Sequence, residues 1–127
     1  MTVDERKAIR QVIETAYIEG IHLEQDADKV RAGFHPGFRM LVQRDDELLK
    51  VDPETFLHRV IERRKTQPEA FEAPLSFEIP LIDVEKTVAT VRIELSRGGT
   101  HLFTDYMLLY KFEGGWKIVS KAFASHA

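Results

Sequence analysis

The 127 residues, 43% apolar and 31% charged, make one ordinary globular domain that needs no staples. The absence of cysteine excludes disulfides, thiolate metal sites and cysteine nucleophiles. Lys and Arg number 18 against 21 Asp and Glu, a net charge of −3 with no basic block, which argues against a nucleic-acid partner. No apolar run approaches the roughly 20 residues of a membrane helix, and the opening MTVDERKAIR lacks the apolar stretch of a signal peptide, so a cytoplasmic protein without membrane contact is expected, in keeping with a reducing compartment.

Residues 2–22 read as the first helix. Thr2 and Glu5 have capping-box spacing, and Ile9, Val12, Ile13, Ala16, Tyr17, Gly20 and Ile21 recur as one apolar stripe. A short second helix runs from Asp26 to about Gly33, with Ala27, Val30 and Phe34 as its buried edge, and His35-Pro36-Gly37 ends it. Phe38 to Val42 reads as a strand, Arg44 to Glu47 as a polar turn, and Leu48 to Val51 as a return strand. Asp52-Pro53-Glu54 opens a third helix with a cap, a proline at the first position and negative charge at the positive dipole end. Phe56, Leu57, Val60 and Ile61 are its stripe, and Glu62 to Lys65 its solvated end. After a loop from Thr66 to Pro74 come four long strands: Leu75–Val84, Val88–Arg97, His101–Phe112 and Trp116–Ala124. The turns at Glu85-Lys86, Gly98-Gly99 and Gly114-Gly115 mark hairpins. Helices followed by a meander make an α+β domain spanning residues 1–127.

The strands differ in their faces. Ala89, Val91, Ile93 and Leu95 alternate with Thr90, Arg92, Glu94 and Ser96, so that strand has one wet face. The next strand carries Phe103, Asp105, Met107 and Leu109 on one side and Leu102, Tyr106, Leu108, Tyr110 and Phe112 on the other. Helices cover only one side. Either this strand is locally buried, or a second copy of the chain covers the outer face as a homodimer.

Few side chains point to chemistry. Tyr17 lies on an apolar stripe, where its hydroxyl either bonds a backbone carbonyl or donates to a ligand. Asp105 stands among Phe103, Met107 and Leu109, a costly place for a carboxylate unless it is paired. It is either a structural partner of Lys121 or a backbone N–H, or an acid or base with a raised pKa. One bulge would exchange the face it points to. Ser120 and Lys121 occupy opposite faces of the last strand, so register decides which points inward. His22 and His35 bracket the second helix; His35, followed by proline in a turn, reads as a local cap, the alternative being a ligand contact. Phe71 is placed either to close a pocket mouth or to pack on the third helix. The histidines lack metal-ligand spacing, and no Ser-His-Asp order or phosphate loop is present. Neither a metal nor a cofactor is expected.

The segments Tyr17-Ile18-Glu19-Gly20-Ile21-His22, Asp26, Phe34-His35-Pro36, Thr104-Asp105-Tyr106-Met107-Leu108-Leu109 and Gly115-Trp116-Lys117-Ile118-Val119-Ser120-Lys121-Ala122-Phe123, in that order, resemble the "putative lumazine-binding" branch of the nuclear-transport-factor-2-like superfamily. The resemblance covers nearly the whole chain. It implies a cystatin-like cone-shaped α+β barrel, three N-terminal helices packed in a strongly curved antiparallel sheet, a dimer, and a pocket between the concave face and the helices. On that footing Tyr17, Asp105, Ser120, Phe34, Phe38 and Met107 are the expected pocket residues, Tyr17 and Asp105 being the catalytic candidates. The superfamily includes ketosteroid isomerase, scytalone dehydratase, limonene epoxide hydrolase and polyketide cyclase. Tyr17 sits about where the isomerase has its oxyanion tyrosine, but the position of the isomerase's base falls near Leu41, which is no carboxylate.

The expected function is binding of a small apolar or aromatic molecule. The alternatives are a cofactor-independent lyase, isomerase or hydrolase using Tyr17 and Asp105, and a dimeric protein-interaction module.

Overall fold

A computed structural model describes residues 4–126. Thr2 lies outside the described residues, and with it the expected capping box. Asp4 caps the first helix, α1 (Glu5–Val12), its side chain accepting from the Lys7 N–H. The chain then continues without a break into an 11-residue π-helical segment, Ile13–Leu23. At its end the Glu24 N–H reaches back five residues to the Glu19 carbonyl at 2.8 Å. So long a π-helical run is rare. Its wider turn brings Ile13, Ala16, Tyr17, Ile18, Gly20 and Ile21 all into the interior.

Asp26 caps α2 (Ala27–Gly33) by accepting from the Asp28 and Lys29 N–H groups. Gly33 touches the first helix so closely that a Cβ there would stand 2.3 Å from the Ala16 Cβ. The chain then enters β1 (Phe34–Arg44) at once, earlier than the His35-Pro36-Gly37 signal suggests. Pairing with the last strand slips between Phe34 and Arg39, so Pro36 occupies an irregular stretch that needs no ladder donor. β2 (Glu47–Val51) returns beside it. Asp52 accepts from the Thr55 N–H at 2.8 Å and Pro53 opens α3 (Pro53–Thr66). A single 3₁₀ turn, Pro68–Phe71, interrupts the expected loop. The strands β3 (Leu75–Glu85), β4 (Val88–Arg97), β5 (Thr100–Phe112) and β6 (Gly115–Ser125) follow.

The six strands form one curved sheet in the order β2-β1-β6-β5-β4-β3. Two details correct the sequence expectation. β1 runs parallel to β6, the remaining neighbours being antiparallel. The sheet also stays open, because β2 and β3 at its ends are not paired to each other. The helices pack on one face, where Ile9, Ile13, Tyr17, Ile21 and Val30 meet Val91, Ile93, Leu95, Met107, Leu109 and Ile118 in the core. The other face of β5 is wet: Tyr106, Leu108, Tyr110 and Phe112 are 40–50% exposed. Local burial by this chain therefore does not account for the second apolar side of β5. Among the described residues no helix is long and apolar enough to cross a membrane.

Candidate functional site

The register of β6 determines what faces the helices. β5 pairs Leu108 with Ser120 and Leu109 with Ile118, which leaves Val119 unmatched in a bulge. The bulge turns Ile118 and Lys121, three residues apart, to the same concave side. Lys121 thereby enters a cross-sheet row with Met40, Met107 and Val91. Asp105 lies in the next row, between Ile93 and Phe123, and so points into the cone. Ser120 goes to the convex side beside Leu108 and Arg39. It does not join the site expected of it.

Tyr17, carried by the π-helical segment, completes a buried chain. Its hydroxyl donates to Asp105 Oδ2 at 2.5 Å and accepts from Lys121 Nζ at 2.9 Å. Lys121 Nζ is 3.7 Å from Asp105 Oδ1, an atom with no hydrogen-bond partner among the described residues. Tyr17 and Asp105 are fully buried and Lys121 is 5% exposed. The ammonium group also lies 4.6–5.0 Å from the ring centres of Phe56, Tyr17 and Phe123, a favourable setting for a cation.

Desolvation pushes the Asp105 carboxyl above its usual range, against the pull of Lys121 and the Tyr17 hydroxyl. It pushes Lys121 down, against the attraction of Asp105. It drives Tyr17 well up, reinforced by the Asp105 charge. Tyr17 thus keeps its proton and donates it in a hydrogen bond to Asp105, so the hydroxyl is not free to act as a donor to a ligand. Of the two roles open to Asp105, the contacts supply the pairing with Lys121.

Beside Lys121, between α3 and the concave face, runs a cleft of about 180 Å³. Met40, Phe56, Val60, Phe103 and Phe123 give it an apolar wall, and Lys121, His22, Arg59 and Arg63 its polar groups. It adjoins a second cavity of about 290 Å³ that shares His22, Val60, Arg63 and Phe103 and extends to Phe71, Leu95 and Arg97. Leu102, expected on the outer face, lines this second cavity, because the β4–β5 register shifts around it. Tyr17 and Asp105 line neither space; they lie behind Lys121 and hold it.

Other expected residues fall elsewhere. Phe34 and Phe38 are buried and meet edge to face with ring centres 4.8 Å apart; they belong to the core and not to the cleft. Met107 is fully buried next to Lys121 in its row. Phe71 stands at the second cavity, under the Arg97 and Arg64 guanidinium groups. His35 accepts from the Gly37 N–H at 2.8 Å, a local cap as expected. Leu41 pairs with Ala122 on the convex side, and its inward neighbour is Met40, so the position of an isomerase base is apolar in either register.

His22 and two of the three arginines of α3, Arg59 and Arg63, were not legible as site residues. The Nε2 of His22 is shielded and has no hydrogen-bond partner among the described residues. Burial, with Lys121, Arg97 and Arg63 nearby, lowers its pKa to about 3, so the ring is neutral. Arg63 sits in the helix end that reads as solvated, with Arg59 one turn before it. Only the curvature of the sheet brings that end over Lys121. Among the described residues no group of three His, Asp or Glu is placed to hold a metal ion.

Comparison with known proteins agrees with this fold. The family model described as "Putative lumazine-binding" matches residues 4–124. A nuclear-transport-factor-2-like protein of unknown function from Silicibacter pomeroyi superposes with a TM-score of 0.77 at 21% identity, over 99% of this chain and 100% of its own. One from Methylobacillus flagellatus does so with a TM-score of 0.72 at 27% identity, over 100% and 96%. A cystatin-like domain from Nostoc punctiforme gives 0.71 at 13% identity, over 100% and 80%. No functionally curated protein matches the chain. The architecture is therefore the nuclear-transport-factor-2-like, cystatin-like α+β fold.

Proposed function

Because the chain belongs to the family described as "Putative lumazine-binding", we propose that it is a small-molecule-binding domain and that its ligand, an apolar or aromatic molecule, occupies the cleft at Lys121. One observation carries this reading. A desolvated amine, held by Tyr17 and Asp105, stands at the wall of a space otherwise lined by Met40, Phe56, Val60, Phe103 and Phe123. Ligand sites are built this way, with apolar walls and a few fixed polar groups. Lys121 gives one N–H to the Tyr17 oxygen and faces Asp105 as an ion pair at 3.7 Å without a hydrogen bond, so it keeps N–H donors for a ligand acceptor. Native mass spectrometry of freshly purified protein tests it. A retained non-covalent molecule is expected, and filling the cleft with Val60→Trp should remove it. Retention unchanged in that variant would rule the cleft out.

A second reading is a cofactor-independent lyase, isomerase or hydrolase. It is favoured by the unbroken chain of three ionisable groups that reaches the cleft at Lys121. In it Lys121, and not Tyr17 or Asp105, would be the group that exchanges a proton with substrate. We further propose that a second copy covers the exposed convex side of β5, and that the protein works in the cytoplasm.

A further inference from the structure

The charges around the cleft are one-sided. Lys121, Arg59 and Arg63 line it, Arg97 lines the adjoining cavity, and no acidic residue lines either. Some cations elsewhere have carboxylate partners, as Lys29 has Glu19 and Glu24 and Arg31 has Glu54. Arg59 and Arg63 have none among the described residues. Arg97 donates from Nη1 to the Phe71 and Ala73 carbonyls, neutral groups that leave its charge unmatched. Against these four cations stands Asp105, the single buried carboxylate among the described residues. Positive charges in a concave wall of low polarity focus their field into the space between them. His22, which lines both cavities, stays neutral there and presents an unpartnered Nε2.

The apolar part of the wall is aromatic. Phe103 and Phe123 meet edge to face at 5.6 Å, and Phe56 adjoins them across the cleft. Rings in that arrangement receive a flat ring in stacked or edge contact.

We propose that the cleft is selective for a flat aromatic anion, such as a carboxylate on one or two fused rings. Its ring body lies among Phe56, Phe103 and Phe123, and its charge is met by Arg59, Arg63 and Lys121. This inference rests on the cleft being the binding site, and the experiment separates the two. Equilibrium binding of 2-naphthoate, uncharged 2-naphthamide and cationic 2-naphthylmethylammonium is measured on the full chain, on Val60→Trp and on the exposed double variant Arg59→Gln/Arg63→Gln. The wild-type chain should prefer naphthoate to naphthamide by about tenfold or more and reject the ammonium compound. The double variant should lose that preference, naphthoate losing about tenfold more affinity than naphthamide. Equal binding of naphthoate and naphthamide by the wild type, both lost in Val60→Trp, overturns the anion selectivity and leaves the cleft standing. A preference undiminished in the double variant also overturns it. Failure of all three compounds to bind removes the cleft and this inference together.

Discussion

Lys121 is the residue on which the site turns, and its cost is desolvation. A buried ammonium persists because Asp105, the Tyr17 oxygen and three aromatic rings replace water around it. Removing one member of such a pair strands the other. Asp105→Asn should therefore lower stability by on the order of 3–5 kcal/mol. The double variant Asp105→Asn/Lys121→Met should recover part of that loss, since no unpaired ion remains. Urea unfolding of the wild type, both single variants and the double variant gives the coupling. Additive losses would mean that Asp105 and Lys121 do not act as a pair. His22 supplies a pH signature. Its folded pKa of about 3 lies below the unfolded value of about 6.5. Between these values the unfolded chain binds the extra proton, so the stability held by neutral His22 is intact above pH ~6.5 and declines as the pH falls toward 3. The difference in stability between wild type and His22→Gln should shrink over that interval. A pH-independent difference would mean that the ring titrates normally.

At the scale of elements, two local features can be tested without touching the cleft. Asp52 accepts from the Thr55 N–H at the start of α3, and Asp52→Ala should cost roughly 0.5–2 kcal/mol. An unchanged thermal midpoint would show that the cap is not needed. Gly33 is required by space, not by backbone freedom, because the Ala16 methyl occupies the place a Cβ would take. Gly33→Ala should therefore lose about 1–3 kcal/mol, the usual cost of overpacking, although alanine is the better helix former. A gain in stability would mean that α2 can shift away from the first helix. The two bulges matter more for function. That at Val119 turns Lys121 inward, and the shift near Leu102 brings that leucine into the second cavity.

For the whole molecule, the open question of cover falls on the convex sheet. Tyr106, Leu108, Tyr110 and Phe112 form an exposed row along β5, with Val88 opposite Tyr110 on β4. Contiguous apolar patches on that scale mark association surfaces. Sedimentation at about tens of micromolar should show a dimer, and Leu108→Glu together with Tyr110→Lys should give a folded monomer. A monomeric wild type at that concentration would refute the proposed dimer.

Periodicity and turn chemistry in the sequence determined the three helices, the Asp26 and Asp52 caps and the long β-meander, because these depend on neighbours a few residues away. They also marked Tyr17 and Asp105, since an ionisable group in an apolar stripe is conspicuous by its cost. The tertiary structure alone decided that the two are joined, at a separation of 88 residues, and that Lys121, not Ser120, completes them. The reason is geometric. Side chains in a strand alternate with a period of two, so one unmatched residue at Val119 exchanges the faces of everything beyond it, and no local pattern records that residue. The parallel partnership of β1 with β6, the open ends of the sheet and the approach of Arg59 and Arg63 to Lys121 are likewise long-range. They follow from how the sheet curves under the helices, which only the packing of the whole chain fixes.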